Sequence, residues 1–189
     1  MSPAPAPTAD HDLLRQMQGG AAGAFEALYR RHQGPLYRFC LMRSGSAEIA
    51  ADVVQEVFMG LLTGAYRFDL LRGSLANFLF GVARNVVMKQ DRPAAADAGD
   101  EEDDAVCEAP TPLLRLLQNE QAEQVRRAVA ALPPHYRDVL ILFELNERSY
   151  VDIAAICQLD IGTVRSRLSR ARGALARRLA AWREPINVE

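Results

Sequence analysis

The sequence predicts an all-α protein: two small helical domains joined by a flexible acidic linker, the C-terminal one a helix-turn-helix. Three observations carry this. Apolar residues recur at helical spacing through most of the chain, and no segment alternates as a strand. Residues 91–112 have no apolar period and contain Asp100-Glu101-Glu102-Asp103-Asp104. Near the C-terminus a short helix, a tight turn and a second capped helix follow one another.

The chain has 189 residues, enough for one full core or two small ones. Its hydrophobic content of 49% is too high for full disorder. The net charge of -2 hides a strong asymmetry. Residues 1–90 carry nine Lys/Arg and seven Asp/Glu, whereas 91–112 carry one Arg against eight acids. Residues 113–189 carry twelve Arg and nine acids, and 161–183 hold seven Arg and no acid. A basic helix behind an acidic segment points to a polyanionic partner.

Met1–Ala9 is Pro/Ala-rich and reads as a disordered lead. It has neither a basic start nor an apolar stretch, so no signal peptide is expected. No apolar run approaches the ~18 residues of a membrane span, and a cytoplasmic protein is expected. Cys40, Cys107 and Cys157 lie far apart without a CxxC pair, so neither a disulfide framework nor a metal site is expected.

Domain one is expected over 10–92. Asp12 is a candidate cap for a short helix with Leu13, Leu14 and Met17, ended by Gly19-Gly20. A long helix spans Ala24 to Met42, and Gly34-Pro35 should interrupt it with a kink. Ser46 starts another, to about Leu62, with an apolar face of Val53, Val54, Val57, Phe58, Leu61 and Leu62. A loop with Tyr66, Arg67 and Phe68 follows. Ser74 should cap a helix running to about Gln90, with a buried stripe of Leu75, Phe78, Leu79, Val82 and Val86.

The linker is expected over 93–112, domain two over 113–183, and a tail over 184–189. Leu132-Pro133-Pro134 breaks domain two once, and Pro134 suits the first turn of the next helix. Ser149 precedes the helix Tyr150–Cys157, Gln158-Leu159-Asp160 make the turn, and Asp160 can cap the helix from Ile161. On that last helix Val164, Leu168, Ala171, Leu175 and Leu179 share the side that should be buried. Gly162, Ser166, Ser169, Arg170 and Gly173 lie opposite. Arg165 and Arg172 flank one edge and Arg167 the other. Two arginine rows suit phosphate backbones, and a small middle suits base edges. A merely solvated basic helix would carry the same arginines.

Leu132-Pro-Pro-His-Tyr-Arg-Asp-Val-Leu140, Ser149-Tyr-Val-Asp-Ile-Ala154, Gly162-Thr-Val-Arg-Ser-Arg-Leu168 and Arg170-Ala-Arg172 resemble the fourth region of extracytoplasmic-function sigma factors. The resemblance implies a domain that reads the minus-thirty-five promoter element. It implies base reading by Arg165, Ser166, Ser169 and Arg170, with Thr163, Arg167 and Arg172 completing the DNA-contacting set. Ser169 stands where the family often has a larger side chain.

Glu48, Asp52 and Glu56 recur every four residues and form one acidic ridge, with Gln55 beside it. Asp52-Val-Val-Gln-Glu-Val-Phe58, the aromatic loop and Phe78-Leu-Phe-Gly-Val-Ala-Arg-Asn85 resemble the second region of the same family. By that resemblance the ridge docks the coiled coil of the large subunit of RNA polymerase. The following helix and loop melt and read the minus-ten element, with Phe68, Arg84 and Asn85 as candidate contacts. For Phe68, core packing and base stacking are both open. Ile49 and Ala51 fall where an acid is common, which makes the ridge less negative. Phe78 replaces a common Trp and is expected in the core.

The expected function is a dissociable promoter-specificity subunit of RNA polymerase. Its expected partners are the polymerase core, through the coiled coil and the flap region, promoter DNA, and an anti-sigma factor. A stand-alone helix-turn-helix regulator of duplex DNA is the alternative. No catalytic constellation surrounds His11, His32 or His135, no phosphate-cradling Gly loop is present, and no cofactor is expected.

Overall fold

The computed structural model describes residues 9–69, 73–90 and 120–181. The expected lead before Ala9, the expected linker at 93–112, Cys107, the expected onset of domain two at Leu113 and the expected tail at 184–189 lie outside the described residues. Among the described residues there are eight helices and no strand.

Helix α1, Asp10–Gln18, begins after Ala9 rather than at Asp12. Asp10 and Asp12 both sit in its first turn, where the helix dipole favours carboxylates. Helix α2, Ala22–Ser44, is longer than expected and Pro35 does not end it. A mid-helix proline sacrifices one backbone hydrogen bond. Here Leu28, Leu36 and Phe39 are fully buried on both sides of it, and each such burial is worth about 1.5–3 kcal/mol. Packing therefore outweighs the local defect.

Helix α3, Ala47–Thr63, starts as expected: Ser46 Oγ accepts the Ile49 N–H at 3.2 Å. Gly64 ends it in the left-handed conformation, at φ 74°. Leu62 is 49% exposed, against expectation. It lies on the flank of the stripe formed by Val54, Phe58 and Leu61, and no helix among the described residues covers it. Helix α4 spans Leu75–Gln90. Its deep positions include Leu75, Leu79 and Val86, but also Ala76, Phe80, Ala83 and Val87. Phe78 and Val82 are only half-buried. The buried stripe is broader than expected because α4 is covered on two sides.

The C-terminal helices are α5 (Glu120–Ala130), α6 (Pro134–Glu144), α7 (Tyr150–Cys157) and α8 (Ile161–Ala181). Pro134 occupies the first turn of α6, as expected. Val164, Leu168 and Ala171 of α8 are buried, whereas Leu175 and Leu179 are half-buried, because α8 runs on past the helices beneath it.

Helix α2 packs on α1, α3 and α4, while α8 packs on α5, α6 and α7. The two groups also pack on one another: α4 meets α7, and α2 meets α5 and α6. The buried apolar side chains from Leu13 to Ala171 form one continuous cluster. This association of the two groups was not anticipated from the sequence.

Candidate nucleic-acid interface

The helix-turn-helix is set by short-range hydrogen bonds. Ser149 Oγ accepts the Asp152 N–H at 3.1 Å, and Asp152 Oδ2 accepts the Ser149 N–H at 3.3 Å, a reciprocal capping box. Gln158 ends α7 in the left-handed conformation, at φ 55°. Asp160 then starts α8, accepting the Thr163 N–H at 2.7 Å and its hydroxyl at 2.5 Å. Those bonds hold the Asp160 carboxyl below the usual carboxylate range. A Cβ at Gly162 would sit 3.0 Å from Asp160 Oδ1, so a side chain there crowds the cap.

With Val164, Leu168 and Ala171 inside, Gly162, Arg165, Ser166, Ser169 and Arg170 are exposed, as the helical period requires. Thr163 and Arg167 are half-buried. One edge of α8 is built on a row of side chains from α6 and α7. Arg165 lies over Tyr150 at 5.7 Å, Tyr150 stacks on Phe143 at 5.3 Å, and Arg172 lies over Phe143 at 4.9 Å. The expected edge arginines, Arg165 and Arg172, thus share an aromatic platform. Arg172 is also bound by Glu144, Nε to Oε1 at 2.8 Å. The phosphate contact expected of Arg172 meets a carboxylate already in place.

On α3, Glu48, Asp52, Gln55 and Glu56 are all exposed on one face. Ala51 is exposed as well, but Ile49 packs against the core, so it is not a surface position lacking an acid. Tyr66, in the aromatic loop, faces the acidic ridge. Its hydroxyl donates to Glu56 at 2.7 Å, its N–H donates to the Gly60 carbonyl at 2.9 Å, and its ring covers Gly60. The bond to Glu56 keeps the phenol protonated to higher pH than usual. Tyr66 therefore belongs to the acidic ridge.

Phe68 is half-buried, 5.2 Å from Phe78, and both pack against the core. Phe78 is accordingly at the margin of the core rather than inside it. Phe68 also lines a cavity of about 490 Å³ with Arg67, Asn77, Gly81, Asn85 and Gln158. That cavity lies between α4 and the end of α7. Asn85 is exposed at its mouth. Arg84 is not on open surface: its Nε donates to Asp138 Oδ2 of α6 at 2.7 Å. Asp138 also accepts from Arg43 Nε at 2.5 Å, and Asn77 Nδ2 donates to Asp152 Oδ1 at 2.6 Å.

Sequence reading missed Arg43 and Asp138 as a pair. Asp138 had one local signal, a carboxylate beside the apolar run Val139–Leu142, and no local pattern reveals a partner 95 residues away. The described residues contain no His/Cys/Asp/Glu group suited to a metal, and no helix among them is long and apolar enough to cross a membrane.

This geometry is that of a helix-turn-helix protein with a separate acidic face on α3. Residues 28–92 match the family description Sigma-70 region 2, and residues 122–175 match Sigma-70, region 4. The ECF RNA polymerase sigma-E factor of Escherichia coli is 33% identical over 180 residues, covering 88% of this chain and 92% of that protein. The ECF RNA polymerase sigma factor SigM of Mycobacterium tuberculosis is 30% identical over 181 residues, covering 95% and 89%. CnrH, solved with the cytosolic domain of CnrY, shares the fold with a TM-score of 0.70 and 24% identity, covering 92% of this chain and 99% of its own. The sigma factor RpoE of Bartonella quintana, solved with the anti-sigma factor NepR, gives 0.61 at 24% identity, covering 82% and 96%. The chain belongs to the extracytoplasmic-function RNA polymerase sigma factors. As such it associates with RNA polymerase and promoter DNA and directs transcription initiation. The family is not one of enzymes.

Proposed function

We propose that α8 reads the minus-thirty-five element through Arg165, Ser166, Ser169 and Arg170, while Thr163, Arg167 and Arg172 steady the backbone. One observation carries this: a narrow exposed row of small and hydroxyl side chains along α8 is flanked by arginines, so the helix can enter a major groove. The ridge of Glu48, Asp52, Gln55 and Glu56 docks the coiled coil of the large polymerase subunit, and the C-terminal helices meet the flap region. Phe68, Arg84 and Asn85 engage the minus-ten element as it melts, the cavity beside Phe68 taking an unstacked base. The chain acts in the cytoplasm and performs no chemical step of its own. An anti-sigma factor holds it when idle, by likeness to the relatives solved with such partners.

The test is open-complex formation by holoenzyme. Asn85→Ala should bind core polymerase normally, melt a duplex promoter poorly, and recover in part on a pre-melted template. Equal activity on both templates would remove Asn85 from the minus-ten site.

A further inference from the structure

One edge of the recognition helix rests on aromatic rings. Tyr150 is the first residue of α7, and the reciprocal box of Ser149 and Asp152 sets the chain direction at its ring. Asp160 in turn sets the start of α8, where Arg165 lies. The two caps bring the Arg165 guanidinium to 5.7 Å from the Tyr150 ring centroid. Behind Tyr150 stands Phe143 of α6, stacked at 5.3 Å with the ring planes 16° apart. Helices α6, α7 and α8 therefore all contribute to one stack. Tyr150 and Phe143 are half-buried, whereas Arg165 is exposed.

A guanidinium has two chemically different aspects. Its flat face is attracted to the negative face of an aromatic ring. Its rim carries the N–H donors that match a phosphate, or the O6 and N7 of guanine. Stacking engages the face and leaves the rim. Arg165 has no ion pair among the described contacts, so its rim is open. Arg172 is the contrast: it lies over Phe143 at 4.9 Å, but Glu144 takes its rim through Nε and Nη2. Arg170 lies over no ring among the described contacts. Arg165 differs from both in combining a held face with an open rim.

We propose that Tyr150, backed by Phe143, is a positioning residue for promoter reading, holding Arg165 by its face so that its donor rim meets the minus-thirty-five element already oriented. The inference rests on the assignment of Arg165 to that element. A free arginine loses the freedom of several rotatable bonds when it docks, and a side chain held beforehand in its bound orientation avoids that loss. A ring suits the task better than a carboxylate would. A carboxylate orients a guanidinium by occupying the very donors that DNA needs, whereas a ring occupies none of them.

The test uses holoenzyme built with the full chain, in which Tyr150 is replaced by phenylalanines bearing no, one, two or three ring fluorines. Each fluorine draws negative charge from the ring face while barely changing its size. The readout is the ratio of affinities for a promoter that the holoenzyme transcribes and for the same promoter with its minus-thirty-five element scrambled. Tyr150→Phe should keep the wild-type ratio. The ratio should then fall stepwise with fluorine number, by about threefold in all, the size of a partly exposed cation–π contact. Affinity for core polymerase should stay constant along the series. In an Arg165→Ala background the ratio should be low and flat.

A flat series with Arg165 present overturns the proposal, because the ring field then does not hold the arginine. A slope that persists in Arg165→Ala also overturns it, because the ring then acts on something else. So does a ratio that rises with fluorine number, since the arginine would then have to leave the ring to bind. A ratio already lost in Tyr150→Phe puts the hydroxyl, not the ring, at work and sinks the idea as well. If three fluorines cost helical circular dichroism, the slope over the first two decides. Arg165→Ala alone separates the two levels. An unchanged ratio there removes Arg165 from the minus-thirty-five site and the proposal with it, whereas a lowered ratio beside a flat series strikes only the positioning role.

Discussion

Glu144 and Arg172 meet at 2.8 Å on the edge of the recognition helix, with the Arg172 guanidinium lying over the Phe143 ring. A cation proposed for the DNA backbone is thus partly neutralised by its own protein. Glu144→Gln should release it. Affinity for duplex carrying the minus-thirty-five element should rise for every sequence, and the slope of log K against log salt should steepen by about 1. Filter binding across a salt series reads both. An unchanged slope would mean that Arg172 makes no phosphate contact.

Arg170 differs from Arg172 in pointing from the exposed face with no ion pair among the described contacts. Arg170→Ala should cost about 1–3 kcal/mol on the preferred minus-thirty-five sequence and little on a scrambled one. Competition binding between the two sequences measures the difference. Equal loss on both would make Arg170 a backbone contact.

The Tyr66 ring leaves no room at Gly60, where a Cβ would fall 2.1 Å from it. Gly60→Ala improves helix propensity by about 1 kcal/mol, but the whole ring must move to admit it. Overpacking of this kind costs about 1–3 kcal/mol, so a net loss of stability is expected. It should be accompanied by loss of the Tyr66–Glu56 hydrogen bond. Urea unfolding and ultraviolet titration of the tyrosines give the two readouts. A more stable variant with an unaltered titration would show that Tyr66 does not lie on Gly60.

Asp152 joins the cap of α7 to Asn77 of α4. Hydrogen bonds from Ser149 and then Asn77 hold its carboxyl below the usual range. A carboxyl depressed in the folded state contributes stability that is fully present above its unfolded value, about 3.9, and lost as pH falls through the lower folded value. Unfolding midpoints between pH 6 and pH 2.5, about the window these values define, should therefore fall more steeply in wild type than in Asp152→Asn. Parallel curves would exclude Asp152 from the acid transition.

The helices and the recognition element were legible in the sequence because their causes are local. Ser46, Ser149 and Asp160 cap where short-range hydrogen bonding says they should, and the helical period put Val164, Leu168 and Ala171 inside. What the sequence does not show has tertiary causes. Burial of Leu28 and Leu36 on either side carries α2 through Pro35, and no local pattern announces it. Phe78 reads as core because the sequence does not show the cavity it lines between α4 and the end of α7. Arg84 reads as a free DNA contact because nothing near it in the chain announces Asp138, 54 residues on. The bond from Tyr66 to Glu56 spans a helix end and a turn, so no helical period announces it.

Run-off transcription with core polymerase on a genomic promoter library is the most direct test that this chain confers promoter specificity through its acidic ridge. Core polymerase with wild-type protein should yield transcripts from a defined promoter set sharing minus-ten and minus-thirty-five elements. Neither component alone should do so, and Asp52→Ala/Glu56→Ala should lose the transcripts together with core binding. Transcripts independent of the added protein, or sequence-specific duplex binding by a dimer of this chain that is indifferent to polymerase, would contradict it.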